Sequence, residues 1–302
     1  MDELVRAVST AGGVRAVALV GTALVREAAR RHATSPTATT ALGRALMGGV
    51  LLAVVSPEEE TLQLQFRGDG PLGPLTVIAD ASGGVRGFAA RPQAAVPARA
   101  GRVDVGSAVG RGKLSVVRSH PSWRQPYTGI VELTSGEIAD ELARYLAFSE
   151  QRRSAVALGL LLDPEGRCEA AGGWLVEALP GAAEEEIAQL EANTQALAHP
   201  SEAILAGAGA DALLERLLAG LGARGLARAN PRFVCGCSRE RAIHAAGLLG
   251  REEALELAME ASGLEVRCEF CAERYVLRAE DLASDDEAGD LARDARERRE
   301  PQ

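Results

Sequence analysis

The chain has 302 residues, 47% of them apolar and 25% charged, with a formal net charge of −9. That length allows about two domains and a sizeable core, and a mean hydropathy near zero is normal for a soluble globular chain. The acidic balance argues against a protein that tracks the phosphates of a nucleic acid.

No run of about 18 apolar residues, the length of a membrane-spanning helix, occurs in the chain. Asp2 and Glu3 stand where a secretion signal carries positive charge, and Arg15 breaks the apolar stretch behind them. The cytosol is the expected compartment. In that reducing setting, clustered cysteines read as metal-binding or redox-active rather than as structural disulfides.

In chain order, a strand is expected near 14–20, followed by a helix or strand up to Arg30. Residues 37–55 are apolar on nearly all sides, with threonines at the front, which suggests a buried helix. TLQLQF (61–66) alternates cleanly and reads as a strand with one wet face. PLTVIAD (74–80), GVRGFAA (84–90), LSVVRS (114–119) and GIVELTS (129–135) continue the sheet. Thr134 and Glu137 fit a capping box, in which two side chains reciprocally satisfy free backbone N–H groups. Ile138, Leu142, Tyr145 and Leu146 then recur at helical spacing, and the helix is expected to run to about Arg153. Strands at 155–164 and 172–180 close an α+β domain over residues 1–180.

Residues 181–230 change character. AAEEEIAQLEANTQALAHP is helical, with its acids early, where the helix dipole favours them. Leu213, Leu214, Leu217, Leu218 and Leu221 then make a long apolar face interrupted by Gly207, Gly209, Gly220, Gly222 and Gly225. Each glycine inside a helix costs about 0.8–1 kcal/mol relative to alanine. The segment therefore reads either as an ordinary helical linker or as a metastable one that is stable only when its leucines are buried on something.

Residues 231–280 form a cysteine module: a helical stretch from Arg239 to about Ala261, then a hairpin carrying a cysteine pair at its turn. About 50 residues bury too little apolar surface to stand alone, so such a module needs a metal or disulfides. Residues 281–302 are a charged tail, expected to be disordered and given no function.

Several lookalike motifs carry little. Gly68-Asp-Gly-Pro-Leu-Gly73 matches a dinucleotide pattern, but Pro74 and a strand follow where the mechanism needs a helix. His32, His120, His199 and His244 are scattered, and no H-E-x-x-H or G-x-S-x-G occurs. No nucleophile–base pair stands out, so an enzyme is not expected. Cys168 stands alone and reads as a small buried residue.

The other four cysteines differ in kind. Cys235-Gly-Cys237 and Cys268-Glu-Phe-Cys271 are tight pairs separated by thirty residues. Four thiolates close a tetrahedral Zn²⁺ site with no open position, leaving His244 no place in it. Zinc would supply folding energy on the order of 10–16 kcal/mol. Such a site is either purely structural or also redox-active. Zinc holds its sulfurs as thiolates, the oxidisable form, and a sulfenic acid on one sulfur condenses with a near neighbour. Residues two or three apart can reach the Cα separation of roughly 4.4–6.8 Å that a disulfide requires. Loss of the metal would then free the weak segment upstream and expose its leucines, as a binder of unfolded chains requires.

The chain resembles the bacterial redox-regulated chaperones known as the heat-shock protein of 33 kDa, over about residues 10–280. The resemblance rests on RHATSPTATTALGRALMGGVLLA (31–53), FRGDGPLG (66–73) with LTVIAD (75–80), QPYTGIVELTSGEIADELARYLAFSEQRRSAVALG (125–159), AGGWLVEALPGA (171–182) and the cysteine quartet. It implies a reduced, zinc-bound, inactive state and oxidation to disulfides Cys235–Cys237 and Cys268–Cys271. It also implies zinc loss, linker unfolding and an ATP-independent holdase, dimeric when active, that captures unfolding proteins under oxidative and heat stress. The alternative from another class is a static zinc module that contacts a protein or nucleic acid without a redox step.

Overall fold

The computed structural model describes residues 2–99, 101–260 and 263–282. In chain order the elements are β1 (Glu3–Val8), β2 (Val14–Val20), α1 (Thr22–His32), α2 (Pro36–Ala53), β3 (Thr61–Gly68), β4 (Leu75–Asp80), β5 (Gly84–Ala89), α3 (Val105–Val109), β6 (Gly112–Ser119), β7 (Tyr127–Leu133), α4 (Ile138–Phe148), β8 (Ser154–Leu162) and β9 (Cys168–Ala178). There follow α5 (Glu184–Ala196), α6 (Pro200–Leu205), α7 (Ala210–Leu217), β10 (Arg224–Ala229), β11 (Arg232–Phe233), α8 (Arg239–Gly247), α9 (Arg251–Glu260), β12 (Leu264–Arg267), β13 (Arg274–Leu277) and α10 (Ala279–Leu282). Two compact units divide at Val234 and Cys235. Among the described residues, no helix is long and apolar enough to cross a membrane.

The first unit holds two sheets, ordered β10-β1-β2-β9-β8 and β11-β5-β4-β3-β6-β7. Their main core is organised by α2, in which every residue except Pro36 and Arg44 is buried. Small residues on all sides make this possible: a side chain at Gly48 would run into Leu142, and one at Gly49 into Val77. Ser35 caps the helix by accepting from the Ala38 N–H at 3.1 Å, with Pro36 at the first helical position. A chain of ion pairs links the sheets. Arg118 of β6 donates to Glu150 at 2.8 Å and to Glu60 at 2.6 Å. Arg152 bridges Glu150 and Glu177 at 3.1 and 3.0 Å, and Arg15 of β2 reaches Glu177 of β9 at 2.9 Å.

The mixed helix-and-strand character expected of the first 180 residues is present, with differences of detail. β1 and α3 were not foreseen. The helix after Thr134 ends at Phe148, five residues before Arg153. The capping box does not form: Glu141, fully buried, accepts the N–H groups of Thr134, Ser135 and Gly136 at 2.8, 2.7 and 2.9 Å. A carboxylate one turn further in satisfies all three donors, leaving nothing for Glu137 to cap. Instead of a dinucleotide loop, Gly68 and Gly70 let the chain press against the carbonyls of Val109 and Ala108, and β4 follows.

Residues 181–230 are helical only in part, because their last stretch forms β10. This strand pairs antiparallel with β1, while β11 runs parallel to β5. α5 to α7 cover the outer face of the five-stranded sheet, where a second apolar cluster gathers Val5, Ala7, Ala16, Ala18, Trp174 and Val176.

The second unit is small. Its helical stretch breaks into α8 and α9 near Gly250, which adopts φ +102°. Its core is Ala242, Ala246, Ala254, Ala258, Leu277 and Leu282, four of which are alanines. Such a core buries little apolar area and supplies correspondingly little stability. Residues 283–302, including most of the charged tail, lie outside the described residues.

Candidate metal centre and the docked segment

The first cysteine pair lies on the loop between β11 and α8. Ser238 caps α8 through the Arg241 N–H at 3.3 Å, and the Arg241 guanidinium returns to the Gly236 carbonyl at 2.9 Å. These bonds fix the loop that presents Cys235 and Cys237. The second pair sits at the turn of the β12–β13 hairpin, closed by Cys268 N–H to Glu273 at 2.9 Å and Ala272 N–H to Cys268 at 2.8 Å. Ala272 takes a left-handed φ of +60° there. Arg239 ties α8 across to Asp281 and to the Val276 carbonyl, at 2.6 and 3.0 Å.

The fold brings all four predicted sulfurs together, each within 4.8 Å of every other. Cys235 and Cys268 are 3.7 Å apart and Cys237 and Cys271 3.4 Å. A tetrahedral ion with metal–sulfur bonds of about 2.3 Å sets sulfur–sulfur edges of about 3.8 Å. The donor set and spacing thus fit a zinc site. Burial pushes the Cys235 and Cys271 thiols up. Burial would raise Cys237 as well, but the Tyr275 hydroxyl, donating at 3.2 Å, and the neighbouring thiols outweigh it and hold that thiol below its ordinary value. The Cys237 thiolate is favoured while Cys235 and Cys271 resist ionising, a conflict that a bound cation removes. Nothing in the sequence singled out Tyr275 for this contact.

His244 lies exposed on α8, outside the cluster. Cys168 is buried in β9, and burial pushes its thiol up to about 12. The His120 ring pairs with Ser122 at 2.7 Å and the His199 ring with Ser201 at 2.9 Å. Both are contacts two residues apart in loops or at a helix start.

Of the five leucines on the predicted apolar face, Leu213, Leu214, Leu217 and Leu218 are buried in the second cluster and Leu221 packs against it half-buried. Polar contacts fasten the same segment. Glu3 accepts the Ala210 N–H at 2.7 Å at the start of α7. Ser9 donates to Glu186 at 2.7 Å. Asn193 donates to the carbonyls of Leu217 and Ala219, each at 2.9 Å. Thr10 N–H reaches Leu221 at 3.0 Å. The contacts of Glu3, Ser9 and Thr10 escape the sequence because they depend on β1 and the turn after it.

An apolar sheet face covered by its own chain, followed in sequence by a four-thiol cluster whose spacing fits a metal ion, defines a two-unit protein. The chain belongs to the Hsp33 family: that family's model, described as Hsp33 protein, matches residues 2–278. It is 44% identical over 296 residues to the 33 kDa chaperonin of Thermus thermophilus, covering 94% of this chain and 86% of that protein. A 33 kDa chaperonin of Symbiobacterium thermophilum is 44% identical over 283 residues, covering 93% and 96%. The crystal structure of the 33 kDa chaperonin of Thermotoga maritima superimposes with a TM-score of 0.86 at 32% identity, covering 97% of this chain and 99% of that one. Membership in this family supports a chaperone.

Proposed function

We propose that the chain is a redox-switched, ATP-independent holdase of the cytosol that binds unfolding proteins under oxidative and heat stress and catalyses nothing. The observation that carries this reading is the placement of the four thiols. They begin at Cys235, six residues after the end of β10, the edge strand that follows the helices covering Val5, Ala16, Trp174 and Val176.

In the resting state Cys235, Cys237, Cys268 and Cys271 would hold zinc as thiolates, and its binding would supply stability that an alanine core cannot. Peroxide transfers an oxygen to one sulfur, giving a sulfenic acid and, with a proton, water. A neighbouring thiol then displaces the hydroxyl, forming S–S and a second water. Repeated once, this consumes two peroxides and gives Cys235–Cys237 and Cys268–Cys271. That pairing follows the family resemblance; the resting sulfurs are close enough for other pairings, so peptide mapping decides it.

Paired sulfurs no longer offer thiolate ligands, so metal binding and the stability it lends are lost. The segment 181–230 then undocks, and the sheet face beneath it becomes available to clients as the chain dimerises. The test is metal content, free thiols and suppression of client aggregation, measured on the same reduced and peroxide-treated samples. We expect zinc and four reactive thiols before treatment, neither after, and suppression only after. Equal suppression before and after would reject the switch.

A further inference from the structure

Segment 181–230, which belongs to the first unit, does two things at once. Its leucines cover an apolar face, and its last strand, β10, occupies the edge of a sheet. β1 pairs with β2 over six consecutive residues, Glu3↔Val20 to Val8↔Arg15, with no irregularity. On its other side β1 meets β10, where the register breaks: Leu4, Val5 and Arg6 face Ala229, Arg228 and Ala227, but Val8 faces Arg224. Two β10 residues, Gly225 and Leu226, therefore stand where β1 has only Ala7, with Gly225 at φ +63°. This is a bulge, and Arg224 and Arg228 flank it. Bulges and charges are the devices that blunt a sheet edge against adding another strand. β1 has no bulge, and its two charges are engaged by the protein, Glu3 with the Ala210 N–H and Arg6 with the Val54 carbonyl. The resting molecule thus ends in a blunted edge laid over a flat, regular one.

We propose that β1, once β10 has left it, holds an extended segment of an unfolding polypeptide by antiparallel strand addition. The proposal rests on the holdase reading above and specifies how that site takes its ligand. β10 itself shows the conformation, direction and register that fit. Backbone pairing is indifferent to side-chain identity, which suits a partner with no fixed sequence. The side chains still filter. Ala229, opposite Leu4, packs against the main core, so an incoming strand needs a small residue there. The residue opposite Val5 lies beside the second apolar cluster, which becomes free when α5 to α7 leave. A strand with one small and one apolar face satisfies both, and unfolded chains expose many such stretches.

The test follows amide exchange of residues 3–8 at single-residue resolution in the full chain, in three states. These are reduced, oxidised, and oxidised with reduced carboxymethylated α-lactalbumin, a permanently unfolded polypeptide. The amides of β1 directed toward β2 should stay protected throughout. The alternate amides, directed toward β10, should be protected in the first state, exchange at least tenfold faster in the second and regain protection in the third. If those alternate amides exchange as fast in the complex as in the oxidised chain alone, the polypeptide does not pair with β1 and the proposal is wrong. Alternate amides that stay protected on oxidation, in protein that binds the polypeptide, overturn it equally and with it the undocking of β10, while the holdase activity itself stands. Failure of the oxidised chain to bind the polypeptide at all removes that reading and this inference with it.

Discussion

Truncating Leu217 to alanine tests the docking of segment 181–230 most sharply. Leu217 has no exposed surface and sits in the cluster formed with Val5, Ala16 and Trp174. Its carbonyl is held by Asn193 at 2.9 Å, so the backbone is fixed and relaxes little into the space left. A buried Leu→Ala change in such a site costs about 2–5 kcal/mol. If this falls on undocking rather than on global unfolding, about 3 kcal/mol raises the undocked population roughly 100-fold, since each 1.4 kcal/mol is about tenfold. Trypsin reads that population directly, because cleavage of a transiently opened segment follows the open fraction when reclosing is fast. Arg216, Arg224 and Arg228 lie inside the segment. In the reduced chain, cleavage at these arginines should accelerate by about two orders of magnitude in Leu217→Ala. Leu226→Ala, a control at a position 54% exposed, should change the rate less than threefold. Equal rates in wild type and Leu217→Ala would refute the view that this leucine holds the segment down. Equal acceleration in the strands β3 and β6 would show instead that the segment and the sheets open as one cooperative body.

Cys268→Ser leaves three thiolates. The reduced variant should bind zinc more weakly in a chelator competition and suppress aggregation partially without oxidant; unchanged affinity with no activity would count against a removable four-thiolate lock. Cys168, buried and held protonated well above neutrality, should resist iodoacetamide at pH 8 in the folded chain, and Cys168→Ala should switch normally; rapid native alkylation would show that its burial is misjudged. Glu150→Ala removes the partner of Arg118, Arg152 and Tyr145. Burial alone would depress the Arg118 guanidinium, but Glu150 and Glu60 outweigh it and hold it charged. A buried charge left short of partners costs about 3–5 kcal/mol, which should appear as a clear fall in thermal midpoint; an unchanged midpoint would mean that Glu60 suffices. Phe233 lies under the Arg31 guanidinium at 5.2 Å and beside the His32 ring at 6.4 Å. Phe233→Ala should speed proteolysis around residues 232–234 without lowering the thermal midpoint of the sheets, and no change would remove that contact as an anchor.

The four sulfurs were legible because metal chemistry needs a particular residue type at close spacing, and cysteine is otherwise nearly absent here. The buried helix at 36–53 was legible from its apolar run, and β3 from its alternation. β1 was not: Glu3 and Arg6 interrupt the pattern, because Glu3 meets the start of α7 on one face and Arg6 reaches the Val54 carbonyl on the other. Missing β1 also hid β10, whose sequence RGLARA has glycine and arginines where a strand usually shows β-branched residues. Its place is set by the backbone of β1, a long-range contact that local propensity does not report. The Thr134 region failed for a related reason: two carboxylates stood at plausible distances, and only the folded loop decides that Glu141 takes the donors.

The central claim is that the state of the thiols governs whether the sheet stays covered. Amide exchange across residues 184–229, read on protein whose bound zinc is quantified in the same sample, tests it directly. The account predicts slow exchange with zinc bound, and fast exchange once peroxide has removed it, while β3 and β6 remain protected in both. A segment that stays protected in fully oxidised, zinc-free protein that nevertheless suppresses aggregation would contradict it.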